Sequence, residues 1–558
     1  MEVNYERLCS FLAFCILATV VSISCNKSSG PITPTDDGTE NREAQLFAMA
    51  LPIFGTNPPD PDEPPHYHNI DLAQIRYGWA WYASGPTYWD VGCAAVTLER
   101  QDNTPANPFK PRFRWLDSSV PDEGWGPAFV TEREILNPEN EADYRNPKCA
   151  AIFDFDQNFI ELAVCYQVRN SGAPNNADWD VGMTRLLYYD VDPQHQYLSQ
   201  FPNLGPADRI DYVFSDPGGF QWNEMNPDIA YDCINGDIYL VYENEEAPQL
   251  PIDPTRVRLK YRRFDRDDNL HRLGNWGAEW YAQTYSGGLI HNGFTPSIDV
   301  GLLDLSLVNV PQDNVNYVVI AYTSQFLSGH LGYHVAVTAW NASSVDSDKP
   351  TSIQLRNPEF RNQNAGVPCV SITPASNNVN FAAIAFQQIV DTDAYGPVNR
   401  IYEVDMTSLA NPLLFTWEYL DLQDGFVDLD DGLYPAIALH EEIQAGDNIV
   451  TNASITFLAQ FAQSALLDPY VARVGIVHPN PAQPPPWPHV VGYNDYIPTG
   501  TDITGNYNID HIPILDPGAS TTVVFGPNAT YWAAWCDRIE MEDPPETVWA
   551  SFGNTTPN

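Results

Sequence analysis

The sequence predicts an all-β chain folded as a single β-propeller of four-stranded antiparallel blades, seven in number with six as the alternative, and three observations carry that reading. A proline-led phrase recurs: Pro147, Pro227, Pro296, Pro368 and Pro435 each open a short apolar strand, 67 to 80 residues apart. Proline suits that first position because it has no N–H to leave unpaired. Each phrase runs through a polar turn into a second strand, and a third apolar run follows. The strands are also apolar on both faces, as in Ile238-Tyr239-Leu240-Val241-Tyr242, which fits sheets covered on both sides better than a sheet with one wet face.

Along the chain, "QIRYGWAWYASG" from Gln74, "CAAVTLER" from Cys93 and "FRWLDS" from Phe113 supply three strands. Five hairpins follow, from Asn146, Asn226, Thr295, Val367 and Tyr434. In the second, Asn235-Gly236 reads as a two-residue turn, since glycine accepts the positive φ such turns require. Third runs begin at Arg185, Arg256, Tyr333, Arg400 and Val471, and weaker segments such as "WGAEWYAQT" from Trp276 make a fourth strand. Near the carboxyl end, "TTVVFGPNATYWAAWCDR" from Thr521 and "ETVWASFG" from Glu546 give three strands without the opening proline. "AQLFAMALPIF" from Ala44 is the candidate fourth, so that the two ends close the ring. Residues 44–558 are therefore read as one domain, although length alone would suggest several.

The amino-terminal segment is of another kind. An uncharged apolar run beginning at Leu8 reads as a targeting sequence to be kept out of the fold. It ends in Ser22-Ile23-Ser24-Cys25, which resembles the lipobox of bacterial lipoprotein signal peptides. That resemblance implies removal of residues 1–24, acylation of Cys25 and a lipid tether to the cell envelope. Asn26 is not the Asp that, under the same resemblance, goes with inner-membrane retention, which points to the outer membrane or cell surface, with a periplasmic or secreted protein as the alternative. Residues 26–43, rich in Ser, Thr, Pro, Gly and acids, read as a flexible linker. No other stretch approaches the roughly 20 apolar residues that span a bilayer.

The net charge of −45 comes from a shortage of basic residues, 27 Lys and Arg against 72 Asp and Glu. Such a field disfavours nucleic acid and anionic lipid surfaces and favours cations, basic partners or neutral ligands. The same surface occurs in proteins adapted to salty water. A monomer is expected.

Cys149 and Cys165 lie symmetrically about Gln157, so the hairpin would set them face to face as a disulfide or as two buried thiols. No CxxC pair occurs and no metal site is assigned. Asp-rich turns at residues 154–158, 265–269 and 428–432 hold oxygen ligands spaced for calcium, although Asp and Asn favour turns for backbone reasons as well. His66 and His68 could reach one metal from an extended segment, but a solvated linker is the simpler reading, and residues 440–442 fall in the turn of a repeat.

No phosphate-binding glycine loop, GxSxG elbow, HExxH or EF-hand pattern occurs, nor the SxDxGxTW repeat of sialidases, the tryptophan-docking repeat of quinone-dependent dehydrogenases or a WD array. Trp79, Trp81, Trp89, Trp115, Trp125 and Trp487 are candidates either for stacking on sugar faces or for packing between blades. No catalytic residue is singled out, because 72 acids do not point to one pair of carboxylates. The leading expectation is an envelope or surface lipoprotein whose propeller binds a glycan or protein ligand through its loop face. A carbohydrate-active hydrolase or lyase acting at the axial mouth, and a structural or adhesion component, are the alternatives.

Overall fold

A computed structural model of the protein describes thirty-one strands between Leu51 and Asn554, with a few adjoining turn residues, all within the compact unit Phe47–Asn558. No helix occurs among the described residues, and the strands are arranged as the all-β propeller expected from the sequence. The targeting segment, Cys25 and the linker lie outside the described residues. So do Trp79, Trp81, Trp89, Trp125, Trp487, Asp428, Asp430 and Asp431.

The described strands form six sheets, the largest of eight strands joined where Ile75–Gly78 run parallel to Ala151–Asp154; counting that sheet as two, we number seven sets built on four strands, all but the last paired in chain order. Set 2 shows the plan, with Ala142–Asp154, Phe159–Asn170, Asp180–Tyr189 and Asp208–Phe214 in succession. The first strands of sets 1 to 7 are His66–Gly78, Ala142–Asp154, Asn223–Tyr231, Gly293–Asp304, Asn364–Ile372, Gly432–Ala445 and Thr521–Gly526. They neighbour one another in cyclic order, and the last returns to the first. Set 7 takes its outer strand, Leu51–Phe54, from the amino end, with Leu51 opposite Ala550. Chain-end pairing of this kind closes the ring without leaving an open strand edge there.

Alternation along each strand fills the space between sets. Leu240 and Tyr242 face set 2 among Ile152, Cys165 and Met183, while Tyr239 and Val241 face set 4 among Val300, Val318 and Ile320. Burial of each large aliphatic side chain stabilises by about 1.5–3 kcal/mol. Trp115 belongs to this packing: it is 2% exposed and meets Tyr188 edge-on at 5.4 Å.

The structure differs from the sequence reading at four places. The first strand of set 1 starts at His66, and it is His66 to Gln74 that pairs with Cys93–Arg100. His66 and His68 are thus strand residues rather than linker, with the His68 ring 4.7 Å from that of Phe109. This strand escaped notice because Asn69 is followed by Ile70 where the other copies have proline.

The turn at Asn235-Gly236 is longer than two residues, since the last strand pair is Tyr231 with Ile238. The Asp232 carboxylate accepts the Asn235 N–H, and Gly236, at φ 71°, donates to the Asp232 carbonyl at 2.7 Å. Set 2 repeats the device: Asp154 accepts the Gln157 N–H at 3.0 Å and Asn158 has φ 54°. Two of the calcium candidates therefore hold turn-forming aspartates, Asp154 and also Asp267, which accepts the Leu270 N–H at 3.0 Å.

The hairpin register pairs Cys149 with Val164 and Lys148 with Cys165. Asp154 faces Phe159, so the centre of the hairpin is half a residue off Gln157. That offset sends the two sulfurs to opposite faces of the sheet, Cys149 into the core toward set 1 and Cys165 into the core toward set 3. Both are free thiols. Residues 440–442, finally, belong to the strand Gly432–Ala445, where a register shift falls between Leu439 and Glu442.

Candidate functional site

Antiparallel pairing brings the start of each first strand, the end of the second and the start of the third to one end of the ring, here called the mouth. Just inside it, six first strands carry the same distortion. Asn69, Asn146, Asn226, Thr295, Val367 and Tyr434 have φ between 46° and 54°, and each sits in a register shift of its ladder. The left-handed region is tolerable for asparagine and costly for β-branched residues such as Thr295 and Val367, on the order of 1–3 kcal/mol. Bulges re-aim side chains, and strain of this sort persists where the surroundings over-determine it.

The re-aimed side chains meet around the axis. The Asn69 amide donates to Asn146 Oδ1 at 3.0 Å, and the Asn146 amide donates to Asn226 Oδ1 at 2.6 Å and to Gln167. The Asn226 amide donates to Glu243 Oε1 at 2.7 Å, and the same oxygen accepts the Thr295 N–H. The Thr295 and Thr323 hydroxyls meet at 2.7 Å, and the Val367 N–H reaches Thr323 Oγ1 at 3.0 Å. A polar collar thus runs from set 1 to set 5.

Two residues deeper, Asp71, Lys148, Asp228, Ser297 and Cys369 occupy equivalent positions. Most accept a backbone N–H from the next set: Cys149 donates to Asp71 at 2.9 Å, Ile298 to Asp228 at 2.8 Å and Val370 to Ser297 at 3.2 Å. Ile437 bonds the Cys369 thiol. Across the closure, Leu72 donates to Thr522 Oγ1, whose hydroxyl donates to Asp71, both at 3.3 Å.

Lysine cannot accept, and Lys148 instead reaches back to Asp71 at 3.3 Å. Its side chain keeps 42% of its surface exposed. Burial disfavours its charge, but Asp71 and Asp228 outweigh that and push its pKa up. Burial likewise lifts Asp228, with Lys148 opposing and Asp71 adding, to about 6. Glu243 is lifted by burial to about 7 against the two N–H donors that hold it. The mouth therefore combines amide and hydroxyl groups, the Lys148 ammonium and carboxyls whose pKa values burial lifts toward neutral pH.

No protein-family model matches the sequence, and no curated protein sequence is similar to it. Among solved structures the chain is similar to Hadza microbial sialidase Hz136, at 10% identity over 94% of this chain and 91% of that one, with a TM-score of 0.37. It is similar to the ectodomain of the parainfluenza virus 5 hemagglutinin-neuraminidase at 8% identity over 99% and 96%, with a TM-score of 0.37. The match to polysaccharide lyase Uly1 has 8% identity over 84% and 89%, with a TM-score of 0.37. Against a Trypanosoma rangeli sialidase, at 8% identity and a TM-score of 0.36, the match spans 54% of that chain. Likenesses this distant assign no residue and no reaction.

A second charged group sits away from the mouth, between sets 2 and 3. Glu161, 0% exposed, accepts Arg185 Nε at 2.5 Å and Arg266 at 2.7 Å. Burial raises the Glu161 pKa, but the two guanidiniums more than reverse this and hold it at about 2. Arg185 also lies 4.3 Å over the Phe264 ring and donates to the Arg272 carbonyl, so the group clamps one set to the next. Sequence inspection singled out none of Asp71, Lys148, Asp228, Glu161 or Glu243. Aligning the repeats on their prolines would have placed Lys148, Asp228, Ser297 and Cys369 in one column.

Proposed function

We propose that the protein is a cell-envelope lipoprotein, tethered through Cys25, that binds a glycan at the mouth of its ring. The observation that carries the reading is the collar of six left-handed, bulged residues. It gathers amide and hydroxyl groups from successive sets around one axis, and such groups suit a hydroxyl-rich ligand. A rigid ring is also a scaffold on which loops at one end can bind while the sheets stay fixed. A protein ligand and a monomeric state belong to the same reading.

One observation favours a second reading, a glycan-active hydrolase or lyase. Glu243, at about 7, keeps its proton in a large share of molecules at neutral pH, as a general acid must, and Asp228, at about 6, does so in mildly acid solution. Both also carry seam hydrogen bonds, which is why binding is placed first.

The test is prolonged incubation of the protein with a panel of polysaccharides, with and without calcium, followed by mass spectrometry and affinity electrophoresis. Retardation by one polymer without released fragments supports binding, and released oligosaccharides replace it with the enzyme reading. Neither effect with any polymer overturns both. Intact mass of the cell-expressed protein tests the tether, which a free thiol on Cys25 would contradict.

A further inference from the structure

In a chain of net charge −45, the mouth holds an unexpected cationic arrangement. Arg145 immediately precedes the bulge residue Asn146 and is exposed. Its guanidinium lies 4.8 Å from the ring centroid of Trp179, and that of Arg169 lies 4.4 Å from the same ring. Trp179, 9% exposed, is locked at the seam between sets 2 and 3: its backbone N–H donates to Asn223 Oδ1 at 3.1 Å and its backbone carbonyl accepts the Glu224 N–H at 2.8 Å.

Two of the acids nearby are already engaged. Arg169 pairs with Asp143 at 3.1 Å, and Glu245 accepts the Asn223 amide at 2.8 Å. Arg145 is exposed and makes no ion pair among the described residues, and its guanidinium packs on the indole. A guanidinium ordered in this way has lost the side-chain freedom that binding would otherwise cost, and its fork matches the two oxygens of an oxyanion.

We infer that Arg145, held on Trp179, is a subsite for the carboxylate or sulfate groups of an acidic polysaccharide. This rests on the glycan-binding reading and narrows its ligand class. The acidity of the whole chain does not oppose it at contact range. Charges on an exposed surface are screened beyond about 8 Å at physiological ionic strength, so a bound group responds to the guanidinium beside it.

The experiment is affinity electrophoresis of the full-length protein in gels containing polygalacturonate, dextran sulfate or unmodified dextran. The first two polymers separate carboxylate from sulfate, and the third is the neutral control. The variants are Arg145→Gln, Arg145→Lys and Arg209→Gln, the last removing an exposed arginine at the opposite end of set 2. Wild-type protein is expected to bind at least one acidic polymer about tenfold or more tightly than dextran, as one charged fork would give. Arg145→Gln is expected to abolish that preference, Arg145→Lys to keep part of it and Arg209→Gln to leave it intact.

Equal binding of dextran and the acidic polymers overturns the subsite while leaving glycan binding standing. Equal losses in Arg145→Gln and Arg209→Gln overturn it as well, by showing a diffuse charge effect. Binding to no polymer, neutral or acidic, removes the glycan reading and the subsite with it. Should Arg145→Gln lack the wild-type thermal transition, the comparison of Arg145→Lys with Arg209→Gln decides the matter by the same criteria.

Discussion

Asp71 accepts the backbone N–H of Cys149, 78 residues further along the chain, and Asp228 does the same for Ile298, 70 residues on. One side chain near the axis thereby ties the first strand of set 1 to that of set 2 and the first strand of set 3 to that of set 4, and the hydroxyl of Ser297 continues the series to Val370. Truncation leaves a seam N–H without its acceptor, at a cost of about 1–3 kcal/mol. Asp71→Ala and Asp228→Ala should each lower the urea midpoint accordingly. Asp71→Asn, which keeps an accepting oxygen, should be milder.

Glu161 stands between two guanidiniums with all three side chains buried. Glu161→Gln leaves two buried charges uncompensated and should destabilise by about 3–5 kcal/mol. Denaturant titration checks this, and a loss no larger than that of an exposed ion pair would show that water reaches the group.

The pH dependence of stability should run against the usual direction for carboxylates. Glu243 is raised from 4.5 to about 7, and Asp228 and Asp237 from 3.8 to about 6, chiefly by burial. The folded state then holds protons that the unfolded state has released, so stability falls as pH rises from about 4.5 to 7. Glu161 has the opposite sign: its contribution is complete above 4.5 and is lost as pH falls through about 2. Thermal melts should therefore give a higher Tm at pH 5 than at pH 8. Both bonds to Glu243 end on Oε1, so Glu243→Gln keeps them and should raise Tm at pH 8 while flattening the profile.

Val367 is a β-branched residue at φ 49° in a position where sets 1 to 3 carry asparagine. Val367→Asn should relieve strain and stabilise by about 1 kcal/mol, read as a rise in the urea midpoint.

Much of the fold was legible in the sequence because periodic prolines and doubly apolar arms report directly on strand starts and burial. Closure of the ring was legible too, since Leu51–Phe54 is apolar and otherwise unemployed. What escaped was set by half-residue register and side-chain direction. Cys149 and Cys165 look symmetrical about Gln157, yet a turn centred half a residue away separates them. The collar escaped because nothing in Asn146 or Asn226 alone announces a left-handed backbone, and the Glu161 clamp escaped because Arg266 is 105 residues distant. Nothing in the sequence around Lys148 marks it, and only the ring places it beside Asp71.

The most direct measurement is hydrogen–deuterium exchange of the protein with and without the polysaccharide that retards it. Added protection is expected at the mouth, around Asn146, Asn226 and Thr295, with the hairpin turns at Asp154 and Asp232 unchanged. Protection confined to those turns, or to outer strands such as Asp208–Phe214, would contradict a ligand site at the mouth.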